Sequence, residues 1–148
     1  MSTRLCFPAE RGSLAEARAA VRLALRRERW DEEGGELVVL AVCEALTNAI
    51  EYGSAPGETV EIEIAADSSH AEICVADRGR PGAAPPVGIP APPPPSAEHG
   101  RGLIIMSELA DALEIRRAGH GTEVRLQFTA PVTLPAWNES ISHEPVLA

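Results

Sequence analysis

The chain predicts an α/β fold, a two-layer α/β sandwich with a mostly antiparallel sheet and helices on one face. Three observations carry this. Two pairs of strand-like segments are each joined by a short polar or glycine turn. Two long helical patterns stand between an isolated first strand and those pairs. A third helical pattern interrupts the strands after a proline-rich loop. The resulting order is β-α-α-β-β-loop-α-β-β, whose apolar faces are buried together when helices stack on one side of a single sheet.

Arg4-Leu5-Cys6-Phe7 is the first strand, closed by Pro8. Ser13 and Glu16 have capping-box spacing, and Leu14, Ala17, Val21, Ala24 and Leu25 keep helical period, so a helix is expected from Ser13 to about Trp30. Asp31 to Gly35 is expected to be a solvated acidic loop. A second helix is expected from about Glu36 to Tyr52, stopped by Gly53. From Thr59 to Ala65, Val60, Ile62 and Ile64 alternate with Glu61 and Glu63, the pattern of a half-buried strand. Asp67 to His70 turns the chain into a partner strand with Ala71, Ile73 and Val75 on one face, ending at Asp77.

Residues 80–98 are dominated by proline, alanine and glycine, a composition that removes backbone donors and offers little to bury. Loops this long inside a domain are usually functional or disordered, and this one stands where it could close as a lid over a ligand at the helix that follows. A third helix is expected at about Leu103 to Ala110, then a hairpin of Leu113–Arg117 and Thr122–Phe128 around Gly119-His120-Gly121. The chain therefore divides into one domain at 1–130 and a low-complexity tail at 131–148 that contains Trp137.

The net charge of −9 argues against nonspecific binding to nucleic acid or to an anionic membrane, because both require a positive face. Every basic side chain is arginine; without lysine, a Walker-type phosphate loop is excluded. The three cysteines are far apart and join no Cys/His cluster, so neither a disulfide framework nor a zinc site is expected, and each reads as a small buried hydrophobe. No stretch has the length of a membrane span, and the first residues lack the apolar run of a signal peptide, so a cytoplasmic location is expected. His70, His99, His120 and His143 form no recognisable site, although His99 flanks one of the segments described next.

Four segments carry chemistry. On the second helix Glu44, Asn48 and Tyr52 recur every four residues on one stripe, while Leu37, Ala41, Ala45 and Ala49 point away from it. A carboxylate and a carboxamide one turn apart are hard oxygen ligands suited to magnesium near phosphate, and equally common on a solvated helix face. Asp77-Arg78-Gly79 ends an apolar strand; its aspartate can accept from an exocyclic amine, and its glycine permits close approach. His99-Gly100-Arg101-Gly102-Leu103 opens a helix whose unpaired N–H groups suit phosphate oxygens. Gly121-Thr122 begins the last strand, where a hairpin turn is the simpler explanation.

In this order the four segments resemble the N, G1, G2 and G3 boxes of the GHKL ATPase superfamily, the Bergerat-type fold. Within it, the short chain and the Ser13-to-Trp30 helix are similar to the anti-sigma factor serine kinases; the likeness covers about residues 4–128. The resemblance implies ATP and Mg2+ as cofactors. It implies Glu44 as the general base, Asn48 as the magnesium ligand, and Asp77 as the reader of the adenine amine, with Gly79 giving the ring clearance. Gly100, Arg101, Gly102 and Leu103 would wrap the phosphates, and Thr122 would support the adenine pocket. The implied partners are an anti-anti-sigma factor of STAS type, whose serine is phosphorylated, and a sigma factor that is sequestered. A homodimer through the sheet edge at the first strand is also implied. Tyr52 stands where many relatives carry histidine, and the second glycine of the G1 box is displaced to Gly82. The alternative is a non-catalytic module that holds nucleotide or sequesters a partner. A histidine-kinase catalytic fragment would need a phosphoacceptor domain outside this sequence.

Overall fold

A computed structural model describes residues 1–79 and 101–134. Eight elements follow in the expected order: β1 (Ser2–Pro8), α1 (Ser13–Arg27), α2 (Glu32–Glu51), β2 (Thr59–Ala66), β3 (His70–Ala76), α3 (Arg101–Leu109), β4 (Ala112–Ala118) and β5 (Gly121–Thr129). The strands form one sheet in the order β1-β2-β3-β5-β4, every neighbouring pair antiparallel. Register aligns the apolar positions into rows across the sheet. Ile64 pairs with Ile73, Ile73 with Leu126, and Leu126 with Leu113. Ile62, Val75, Val124 and Ile115 form the next row. These rows face the helices: α1 packs on β1 and β2, α2 on β2, β3 and β5, and α3 on α2 and β4. Phe128, Leu46, Leu25 and Met106 are among the largest fully buried side chains. The core also takes in Val132, two residues beyond the expected boundary at 130.

The opposite face carries a charge lattice. Arg4 pairs with Glu61 and Glu63, Arg125 with Glu72 and Glu123, and Arg116 with Glu123. Here the cysteine expectation is corrected. Cys6 is exposed and Cys74 only half-buried, because both occupy the outward-facing phase of their strands. Burial, then its contact with Glu123, pushes the Cys74 thiol up to about 12.

Two helix starts also differ from expectation. At α1 the Ser13 hydroxyl donates to the Pro8 carbonyl at 2.7 Å, tying the helix to β1, and Gly12 takes the cap position without a side-chain bond. The capping box does not form. At α2 the acidic run is the helix start rather than a loop. Asp31 is the N-cap and its carboxylate accepts from the Gly34 N–H at 3.1 Å. Glu32 and Glu33 then place negative charge in the first turn, where it complements the helix dipole. Gly34 and Gly35, expected in the solvated loop, are instead buried in the helix, and a Cβ at 34 would lie 2.8 Å from the capping carboxylate.

The end of α1 is a Schellman turn with an unusual occupant. Trp30 N–H donates to the Leu25 carbonyl and Arg29 N–H to that of Arg26, each at 3.0 Å, with Arg29 at φ 65°. Trp30 and Leu25, the two residues whose side chains accompany this motif, are both in the core. The indole Nε1 donates to the Asp67 carbonyl at 2.7 Å, joining α1 to the β2–β3 turn. Trp30→Ala is therefore expected to lower unfolding free energy by about 3–5 kcal/mol. Urea denaturation followed by circular dichroism measures it; a loss below about 1 kcal/mol would show that the indole packs without supporting the fold.

Candidate functional site

The strand period brings Asp77 to the site. Ala71, Ile73 and Val75 face the helices, and Asp77 continues that phase one step past the end of β3. Its backbone N–H donates to the Thr122 carbonyl at 3.0 Å, extending the ladder between β3 and β5. Its Oδ1 accepts from Thr122 N–H and from Gly79 N–H, both at 3.0 Å. Among the described residues Oδ2 receives no hydrogen bond. Burial raises the Asp77 carboxyl above its ordinary value of 3.8, and the two backbone donors oppose that shift without cancelling it. A half-buried carboxylate with one oxygen pinned and the other unassigned can accept a hydrogen bond from a flat polar ligand.

Gly79 and Gly121 are pressed together. Gly79 has φ +87°, which favours glycine, and a Cβ there would collide with the His120 carbonyl; one on Gly121 would collide with that of Asp77. Gly79 also bridges Ser54, whose buried hydroxyl donates to the Ala49 carbonyl at 2.7 Å. The glycine at 79 thus has a packing reason in the protein itself, besides any clearance it offers a ring.

The second cluster lies between α2 and α3. Ala41, Ala45 and Ala49 are buried and admit close packing, while Glu44 and Asn48 are half-buried. Gly102, in the first turn of α3, meets Glu44: a Cβ at 102 would stand 2.7 Å from its Oε2. Burial raises the Glu44 carboxyl above its ordinary value of 4.5. The end of α2 joins the two clusters, since the Asn48 carbonyl accepts from Tyr52 N–H and Gly53 N–H at 3.0 Å and Gly53 abuts the Asp77 carboxylate.

Glu44, Asn48 and Gly102 therefore share one end of the helix layer, and Asp77, Gly79 and Thr122 share the adjoining end of β3 and β5. Arg101 is exposed at the start of α3, and Leu103 packs against the core. Gly100, His99 and the proline-rich segment lie outside the described residues, as do the expected second G1 glycine at 82 and Trp137 in the tail. Sequence reasoning missed Gly53 as more than a helix stop, and no pattern in its own segment signals the contact with Asp77. A shallow cavity of about 500 Å3 at the other end of the sheet, lined by Met1, Asp67, His70 and Asp111 among others, contains none of the predicted site residues.

Residues 7–128 match the profile of the histidine kinase-like ATPase domain. The chain belongs to that family. Membership implies an ATP site, and the pinned Asp77 carboxylate, with Oδ2 unassigned, fits a nucleobase amine. The structure of the RsbU and RsbW domains of Rv1364c from Mycobacterium tuberculosis superposes with a TM-score of 0.65 at 20% identity, covering 86% of this chain and 31% of that one. This ATPase domain thus spans about a third of that two-domain chain, and at such identity the likeness is one of fold. The histidine kinase domain of the blue-light activated histidine kinase EL346 from Erythrobacter litoralis is 19% identical over 82% of this chain and 61% of that one, with a TM-score of 0.44. No curated protein sequence matches the chain. Among the described residues of this ATPase domain no helix is long and apolar enough to cross a membrane.

Proposed function

We propose that this ATPase domain is a protein serine/threonine kinase that phosphorylates an anti-anti-sigma partner of STAS type and otherwise sequesters a sigma factor. The observation that supports it best is Glu44: a half-buried carboxylate of raised proton affinity, set against the first turn of α3 where nucleotide phosphates would lie. A carboxylate so placed suits proton abstraction from a serine hydroxyl. The hydroxyl proton passes to Glu44, the serine oxygen bonds to the γ-phosphorus, and ADP leaves with the electrons of the broken P–O bond. Asp77 accepts from the adenine amine, Thr122 closes that side of the pocket, and Gly79 leaves the ring room. Gly100, Arg101, Gly102 and Leu103 surround the phosphates.

Asn48 would hold Mg2+, which neutralises phosphate charge when bound. Among the described residues no group of three or more His, Cys, Asp or Glu side chains is placed to hold a metal. Magnesium bound with a nucleotide is carried mainly by the phosphates, with one or two protein oxygens beside them. The domain of residues 1–130, a lid at 80–98 and a cytoplasmic location complete the reading, with a homodimer through the β1 edge as its assembly.

A non-catalytic sequestering module is the second reading, favoured by Tyr52. It is 46% exposed at the end of α2, and a phenol supplies no positive charge to a phosphate at neutral pH. Calorimetric titration with ATP and ADP, with and without magnesium, followed by phosphate transfer to a serine-bearing STAS domain, separates the two. Magnesium-dependent binding with transfer is the expected result. Stoichiometric partner binding without ATP turnover establishes the module, and no binding at millimolar nucleotide overturns the kinase.

A further inference from the structure

Gly53 has a reason to be glycine that its backbone does not explain. Its φ lies outside the left-handed range occupied by Gly57, Gly79 and Gly119, so a positive φ is not what calls for glycine there. Space is what forbids a side chain. A Cβ built at 53 would overlap the Oδ2 and carboxyl carbon of Asp77 and stand 3.1 Å from Oδ1.

Neither party can easily give way. Asp77 is held through Oδ1 by the N–H groups of Gly79 and Thr122, 3.0 Å each, and through its own N–H to the Thr122 carbonyl. Gly53 is held by its N–H bond to the Asn48 carbonyl, which closes α2. The neighbouring Ser54 is buried, bridges Gly79, and donates to the Ala49 carbonyl. Two backbone segments from opposite layers thus fix the distance between Gly53 Cα and the carboxylate. With Oδ1 pinned, rotation about the Cβ–Cγ bond is already settled, and the bare Cα of Gly53 is what lets Oδ2 occupy its place.

We propose that Gly53 is a positioning residue for nucleobase recognition: by lacking a side chain it seats Asp77 Oδ2 where an exocyclic amine donates, and so sets preference for a 6-amino purine. This rests on the reading that Asp77 receives the adenine amine. Gly53 itself touches no reacting atom. A methyl group at 53 rotates the carboxylate off its two N–H donors or pushes α2 away from β3, and either movement takes Oδ2 out of register.

The test titrates ATP and purine riboside triphosphate, which lacks the 6-amino group, into wild type and Gly53→Ala. Wild type is expected to prefer ATP by about 10- to 100-fold, the effect of one hydrogen bond to a charged acceptor. In Gly53→Ala that ratio falls to near one while magnesium-dependent binding through the phosphates persists. A variant that keeps the wild-type ratio overturns the proposal. Equal binding of both nucleotides by wild type overturns the adenine assignment of Asp77 instead. Should Gly53→Ala not fold, the double variant with Asp77→Ala decides. Removing the carboxylate is expected to restore cooperative unfolding to Gly53→Ala, the non-additivity expected of two groups that collide. A double variant no more stable than Gly53→Ala assigns the glycine to some other contact and overturns the proposal.

Discussion

Glu44→Ala is expected to lower phosphotransfer to the partner serine by about 10²- to 10⁴-fold, with ATP affinity changed by less than about threefold, since only the transition state uses the base. Single-turnover transfer beside calorimetric ATP titration measures both. Transfer at the wild-type rate would show that another group accepts the proton. The same carboxylate carries a stability signature. Burial raises its folded value above the ordinary 4.5, so its contribution to stability is fully present below that value and is lost as pH rises through the raised one. At neutral pH the wild type therefore holds a half-buried charge, and Glu44→Gln is expected to unfold at higher urea than wild type. Near pH 4 the advantage fades. Asp77 shifts in the same direction, whereas Asp67 and Glu36 shift downward through their hydrogen bonds. The informative quantity is thus the difference between variant and wild type at each pH. A Glu44→Gln protein less stable than wild type at pH 7 would contradict the burial argument.

Asp77→Asn is expected to weaken ATP and ADP binding by about 10- to 100-fold, roughly the loss of a hydrogen bond to a charged group. The fold should survive. The asparagine carbonyl can accept from Gly79 N–H and Thr122 N–H in place of Oδ1, leaving the Asp77–Thr122 ladder bond untouched. Its NH2 group then occupies the position of Oδ2 and presents a donor to a donor. Because ATP and ADP share the base, both should lose affinity equally, which separates base reading from phosphate contacts. Unchanged calorimetric affinity in a folded variant would remove Asp77 from the nucleotide site. A loss confined to ATP would move its role to the γ-phosphate.

Much of the fold was legible because its elements are strongly periodic. Val60, Ile62 and Ile64 announce β2, and Ala71, Ile73 and Val75 announce β3; that same alternation, carried one step further, aims Asp77 at the helix layer. The spacing of Ala41, Ala45 and Ala49 likewise announces a helix with one small, buried face. Misreadings fell where a local signal had two meanings. Asp31 to Gly35 reads as a solvated acidic loop, yet the cap at Asp31 and the buried environment of Gly34 and Gly35 hold the run in a helix. Ser13 and Glu16 read as a capping box, but the Pro8 carbonyl takes the Ser13 hydroxyl. Cys6 and Cys74 have apolar neighbours in sequence, whereas strand phase turns them to the charged face.

The sequence by itself determined the two-layer order of elements and the side of each element on which Glu44, Asn48, Asp77 and Thr122 stand, because periodicity is a property of one segment. Only the tertiary structure decided what faces them. It set the Glu44 carboxylate against Gly102, locked Gly79 and Gly121 together, and left Gly53 bare for Asp77. A missing side chain answers atoms supplied by another part of the chain, and those atoms meet it only when the layers pack.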